Sequence, residues 1–158
     1  MSYELKFLVD AMLGKLARWL LLMGYDTVLA APERSDLDLL EQAHREGRGF
    51  LTRAPRIPPG SGLRKLLLIQ QDFEQQLVHV ARELGLEPRR EKLFTRCSYC
   101  NEPLAALSRE EALPLVPPLV RTLETPFFRC PGCKRMYWYG THLDRAIKKL
   151  AKLGLAPK

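Results

Sequence analysis

Leu5 to Val9 is a short apolar run closed by Asp10. Behind it, Leu13, Leu16, Ala17 and Leu20 recur at offsets 0, 3, 4 and 7, the spacing of one helix face. The pattern predicts a strand and then a helix that stops near Gly24. Asp26 to Ala30 has strand character, and Ser35 predicts the N-cap of a helix from Asp36 to about Glu46. Asp36 and Asp38 fall in its first turn, where the helix dipole favours acids. Gly47 punctuates its end and Gly49 to Thr52 reads as a third strand, so strands and helices alternate as they do around a parallel sheet. Arg53 to Gly62 (RAPRIPPGSG), with three prolines and two glycines, predicts an exposed loop. A fourth strand is expected at Leu66 to Ile69. A helix follows from about Asp72 to Leu84, burying Phe73, Leu77, Val80, Ala81 and Leu84. The expected fold class is α/β, a parallel sheet flanked by helices.

After Leu86 the pattern changes. Glu87 to Lys92 is charged and holds Pro88, which reads as a linker dividing an α/β domain (residues 1–90) from a smaller C-terminal module (residues 91–158). All four cysteines lie in that module in two equal spacings, Cys97-x2-Cys100 and Cys130-x2-Cys133. Two residues between thiols let both sulfurs of a tight turn face one ion, and two such turns supply the four ligands of tetrahedral zinc. Disulfides are the alternative, less suited to a chain with two CxxC pairs and no secretory signal. Four thiolates leave no open coordination position, so such a zinc holds the fold and performs no hydrolysis.

Around the cysteines, Phe127, Phe128, Tyr137, Trp138 and Tyr139 alternate with Arg129, Lys134 and Arg135. That mixture can stack on bases while neutralising phosphates, with Lys134, Arg135 and Trp138 as candidates for nucleic-acid contact. The same aromatics could equally be the module's small core. The last segment, Leu143 to Leu155, predicts a helix with Arg145, Lys148, Lys149 and Lys152 on its polar side, either solvated or meeting phosphate. Ala112 to Leu119 (ALPLVPPL) is an apolar stretch suited to packing within the module, or against a second copy or a protein partner.

Length and charge narrow the classes. A chain of 158 residues accommodates one ordinary core plus a metal-stapled module, and excludes two full-sized lobes. No stretch approaches the roughly 18 apolar residues of a membrane span, and Glu4 and Lys6 interrupt the opening where a secretory signal needs an apolar run. The expected address is the cytoplasm, with no membrane partner. The formal charge of +7 is unevenly placed: 13 basic and 12 acidic residues lie up to Arg90, 12 and 6 after it. A basic C-terminal half suits nucleic acid.

Asp10 ends the first strand, where open parallel sheets place their sites. A carboxylate there can combine with others at neighbouring strand ends and helix starts, such as Asp36 and Asp38, to hold Mg2+ or Mn2+ through oxygen ligands. Two-metal phosphoryl chemistry needs several such acids. The structural alternatives are a helix cap or a salt bridge with Lys15 or Arg18 for Asp10, and capping of their own helix for Asp36 and Asp38. His44, His79 and His142 have no ligand-spaced partner, and neither a phosphate-cradling glycine loop nor a Ser/His/Asp signature is present.

The strings FLVDAMLGKLARWLLLMGYDT, EGRGFLTR, RCSYCNEPL and FFRCPGCKRMYWYGTH, in this order along nearly the whole chain, resemble the Mut-seven C-terminal ribonuclease family. That resemblance implies a PIN-like α/β domain joined to a zinc ribbon, and metal-dependent cleavage of RNA phosphodiesters. It also implies an acidic site that includes Asp10 and Asp36. In the family pattern LTR is followed by an aspartate, where this chain has Ala54. A methyl group cannot ligate a metal, and the loss of one carboxylate weakens Mg2+ binding. Asp72, Asp38 and Glu33 are candidate substitutes. Two readings follow. In one, the protein is a ribonuclease whose Asp10 and Asp36, aided by Asp38 or Asp72, bind Mg2+ or Mn2+ while Lys15, Arg18 and Arg53 hold phosphates. In the other it is an RNA-binding protein without turnover, its affinity supplied by the basic ribbon. A zinc-ribbon adaptor for protein is a third, less supported.

Overall fold

The computed structural model describes residues 4–54 and 65–158, so most of the proline-rich segment lies outside the described residues. Four strands, β1 (Lys6–Val9), β2 (Asp26–Leu29), β3 (Gly49–Thr52) and β4 (Lys65–Leu67), form one sheet in the order β2-β1-β3-β4. Every pairing is parallel, with Leu8 between Val28 and Phe50. Because strand side chains alternate, Phe7, Val9 and Leu51 join one apolar cluster while Leu8 and Phe50 join another on the opposite face. Burial on both faces explains why the strands read as near-continuous apolar runs.

Helices α1 (Gly14–Leu22) and α3 (Phe73–Leu84) cover the first face, contributing Leu16, Leu20, Leu77 and Val80. Helix α2 (Asp36–Glu46) covers the second with Leu39 and Ala43. Opposite faces follow from the strand order: the chain steps from β1 to β2 in one direction and from β2 to β3 in the other, and crossovers of one hand place their helices on opposite sides. The observed α2 has the limits its sequence pattern predicts, and the Ser35 hydroxyl accepts from the Asp38 amide at 3.2 Å. After α1, Gly24 adopts φ +91, and a Cβ there would stand 2.4 Å from the Lys92 carbonyl oxygen. Only glycine allows both the turn and this close crossing of the C-terminal segment.

Beyond a short 3₁₀ turn at Arg90–Lys92, β5 (Ala105–Leu107), β6 (Phe127–Arg129) and β7 (Met136–Trp138) form an antiparallel sheet in that order. These three strands have no counterpart in the hydrophobic pattern, because three residues are too few to establish a period of two. A short helix, α4 (Arg109–Ala112), is closed by a capping box between Ser108 and Glu111. Ala112, Val116 and Phe127 make the small buried cluster of this unit, so Ala112 and Val116 of the ALPLVPPL stretch pack inward while Leu115, Leu119 and its three prolines are exposed. The terminal helix α5 (His142–Lys152) leaves the small sheet and packs on the large one. Leu150 is fully buried in the cluster of Phe7 and Leu16, and Lys149 pairs with Glu74 of α3.

Candidate functional site

The strand order reverses its direction of growth between β1 and β3, and such switch points place a crevice beyond the carboxyl ends of the strands. Asp10 stands there. Its Oδ2 accepts from the Thr52 hydroxyl at 3.1 Å, and its Oδ1 from the Met12 amide at 3.4 Å, so it also caps the 3₁₀ turn Ala11–Leu13 that leads into α1. Thr52 is fully buried at the end of β3, and its hydroxyl oxygen in turn accepts from the Ala54 amide at 2.9 Å. Thr52 is therefore the residue that fixes the carboxylate's direction. The string LTR contains it, but nothing in composition marks a threonine as a partner of an aspartate 42 positions away.

Parallel topology brings the start of every following helix to this same edge. Asp36 and Asp38 open α2, and Asp72 stands at the N-cap of α3 without a side-chain cap bond; all three are exposed. Glu33 is also exposed in the connection before α2. Among the described residues, no three acids bring ligand oxygens within 4.8 Å of one another. Ala54 rests against the cluster of Leu8, Leu39 and Phe50. Of the basic candidates, Lys15 and Arg18 are exposed on α1, over the rings of Phe73 and Tyr99 respectively. Arg53 donates to the Gln70 carbonyl at 3.1 Å, which ties the end of β3 to the segment after β4.

The second constellation is in the small sheet. The Sγ atoms of Cys97, Cys100, Cys130 and Cys133 all lie within 4.8 Å of one another, and this is the sole such group of metal-binding side chains among the described residues. Cys97 and Cys133 are 3.7 Å apart at sulfur, close to the roughly 3.8 Å edge of a tetrahedron with metal–sulfur bonds of about 2.3 Å. The two turns are built alike. Asn101 and Lys134, each directly after the second cysteine, adopt φ 64 and φ 66, and their amides donate to the carbonyls of Cys97 and Cys130 at 3.0 Å. The amides of Cys100 and Cys133 approach the sulfurs of Cys97 and Cys130 at 3.4 and 3.5 Å.

Tyr137, on β7, brings its hydroxyl to 3.0 Å from the Cys97 sulfur. Burial pushes its phenol up to about 12, so it stays protonated and can donate to a thiolate. Cys133 is pulled down to about 6, first by the Arg135 amide and further by the Arg135 guanidinium. Cys100 is pushed up to about 12, first by its hydrogen bond with Cys133. Sulfurs this close cannot all carry charge unless a cation joins them. Arg135 also lies 3.7 Å over the Tyr99 ring, Lys134 is exposed, and Trp138 is half-buried against the ribbon cluster.

A third feature was not visible in the sequence. The Asn101 side chain accepts from the Thr27 amide at 2.9 Å and donates to Asp26 Oδ1 at 2.6 Å. The same Asp26 oxygen receives Arg48 Nη1 at 2.6 Å, and Arg48 Nε reaches Glu46 at 2.6 Å. One cysteine turn thereby satisfies the outer edge of β2 and closes a charged cluster under the sheet. Burial alone would raise the Asp26 carboxyl, but hydrogen bonds from Arg48 and Asn101 outweigh it and hold the group below its ordinary value. Stability from this group is present above the unfolded-state value of about 3.9 and is lost as pH falls through the folded value. Asn101→Ala is expected to cost about 2 kcal/mol at pH 7, for two hydrogen bonds of which one is to a charged group. In urea denaturation, the gap between the parent and Asp26→Asn is expected to hold from pH 6 to about pH 4.5 and to narrow as pH falls below about 4.

No curated protein and no solved structure matches the chain significantly. The family described as Mut7-C RNAse domain matches residues 5–150, a span that takes in Asp10, Thr52, all four cysteines and α5 as far as Leu150. With the parallel sheet and the four-cysteine cluster both inside the matched span, the chain belongs to the Mut7-C RNAse domain family.

Proposed function

We propose that the protein is a metal-dependent ribonuclease that hydrolyses RNA phosphodiesters at the carboxyl edge of its large sheet, with affinity for Mg2+ or Mn2+ reduced by Ala54. The observation that carries this reading is Asp10 at the switch point of the sheet, held by Thr52, in a chain of a ribonuclease family. A bound divalent cation supplies charge to the phosphate oxygens and acidifies its water. The chain's own residues do the rest: Thr52 and the Met12 amide fix the carboxylate, Asp36, Asp38 and Asp72 make the edge acidic, and Lys15 and Arg18 neutralise phosphates along α1. Four thiolates hold a structural zinc in the ribbon. The division into residues 1–90 and 91–158 is part of the proposal, with α5 as the return of the second unit to the first. So is a cytoplasmic address, where thiols stay reduced.

A specific observation favours a second reading, an RNA-binding protein without turnover: a methyl group stands at position 54, and among the described residues no three acids converge. Zinc-loaded parent and Ala54→Asp, incubated with single-stranded and structured RNAs over a Mn2+ series, separate the two. The ribonuclease reading expects the parent to cut at millimolar Mn2+ and the variant to cut at about tenfold less. A parent inert throughout, beside a variant that cuts, establishes the second reading. Failure of either chain to bind RNA with log-linear salt dependence overturns both.

A further inference from the structure

We propose that a cleft between α1, the segment entering the ribbon and β7 binds one nucleotide of single-stranded RNA, its base on Trp138 and Phe94 and its phosphate on Arg18 and Arg96. The cleft encloses about 380 Å³, within the range of roughly 300–1,000 Å³ typical of small-ligand sites. Its apolar side includes Leu22, Phe94 and Trp138; its polar side includes Arg18, Arg96 and His142, and among the described residues no acid lines it. The identity of the polymer rests on the ribonuclease reading above, but the cleft is separate from the Asp10 edge.

Three observations point to a nucleotide. First, Arg96 is set in place by neutral acceptors: its Nε donates to the Gly24 carbonyl at 3.2 Å and its Nη1 to the Asn101 carbonyl at 2.8 Å. The nearby Asp26 takes its hydrogen bonds from Arg48 and Asn101 and feels the Arg96 charge only through space, so the guanidinium stands pre-positioned with no acid in direct contact among the described residues. Second, Phe94 adopts φ 56, a left-handed backbone that is unfavourable for a bulky aromatic residue. Its amide donates to the Leu22 carbonyl at 2.9 Å, which holds its ring against Tyr139 at the cleft. Strain of this kind is found where an exact placement is used. Third, Phe94 and Trp138 line the same cleft as Arg18 and Arg96, and aromatic rings beside cations form a stacking platform with an electrostatic grip on the backbone.

The cleft also lies on a path. Lys15, Arg18 and Leu22 are at offsets 0, 3 and 7 along α1, one face of the helix. Seven residues advance about 10 Å, from the Asp10 end of α1 to the cleft. A nucleotide seated there leads its neighbouring phosphates past Arg18 and Lys15 toward Asp10.

Trp19→Phe leaves Trp138 as the sole tryptophan, and binding is read from its emission in the zinc-loaded full chain without added Mg2+ or Mn2+. Labelled hexauridylate and hexaadenylate are followed in parallel by anisotropy. RNA is expected to quench Trp138, a nucleoside monophosphate to do so at higher concentration, and inorganic phosphate to leave the emission unchanged. Arg18→Glu, at an exposed position, is expected to weaken RNA binding and to lower the salt slope by about one. Trp138→Leu is expected to weaken it about tenfold in anisotropy. RNA that binds by anisotropy without changing Trp138 emission, or with unchanged affinity for Trp138→Leu, overturns the cleft and leaves the ribonuclease reading standing. Absence of binding by both readouts overturns the two together.

Discussion

Replacing Cys130 by serine is expected to release about one equivalent of zinc per chain and to unfold the ribbon while much of the large sheet survives. Cys130 is fully buried and the cluster it would support is small: Ala112, Val116 and Phe127, joined by strands of three residues each. A core of that size does not stand alone, whereas a structural zinc site of four thiolates contributes apparent binding energies of about 10–16 kcal/mol at neutral pH. The large sheet has its own two clusters and does not depend on the sulfurs for them. It does depend on the cysteine turn at one edge, through Asn101 on Thr27 and Asp26, and on Arg96 and Phe94 where they join the end of α1. Hydrogen exchange is therefore expected to show loss of protection from Cys97 through Trp138, weakening at β2, and persistence at β1 and β3. Elemental analysis showing no zinc in the parent, or an exchange pattern in Cys130→Ser identical to the parent's, would sink the structural-zinc assignment.

That unequal dependence also explains what the sequence discloses. The large sheet is legible because its strands are buried on both faces and its helices carry continuous apolar stripes, so Leu16, Leu20, Leu77 and Val80 announce themselves by spacing alone. The four cysteines are legible for a chemical reason: few other uses explain two equal CxxC spacings. Asp10 is legible by position, at the end of a strand in an α/β pattern. The strands of the ribbon are not, because each is too short to alternate and the unit is held by sulfur geometry. Asn101, Tyr137 and Thr52 act through contacts 74, 40 and 42 positions away in the chain, and polar residues that work across such separations leave no periodic trace. Phe94 is similar: only its backbone conformation and its place at the cleft distinguish it from an ordinary core phenylalanine.

On the proposed ribonuclease reading, Asp10→Asn is expected to reduce RNA cleavage by a factor of about 100 to 1,000 while leaving folding nearly unchanged. The amide keeps the shape of the carboxylate. Its one oxygen can keep the bond from the Met12 amide, so the 3₁₀ turn before α1 keeps its cap, while its NH2 group faces the Thr52 hydroxyl and can donate to that oxygen, so the fully buried Thr52 is not left without a partner. The stability cost should therefore be about 1 kcal/mol or less, the net value of one hydrogen bond exchanged for a weaker one. What disappears is the negative charge at the switch point, which in the proposed reading holds a divalent cation worth several kcal/mol of transition-state stabilisation. Asp10→Ala would confuse the two effects, since it leaves Thr52 without its acceptor. Position 54 sharpens the test: because Ala54 supplies no oxygen, the proposal expects the exposed Asp36 and Asp38 not to replace Asp10, so raising Mn2+ should restore no cleavage to Asp10→Asn at concentrations where the parent is expected to cut. Cleavage by Asp10→Asn at the parent's rate, in a chain with an unchanged melting temperature, would place the chemistry elsewhere.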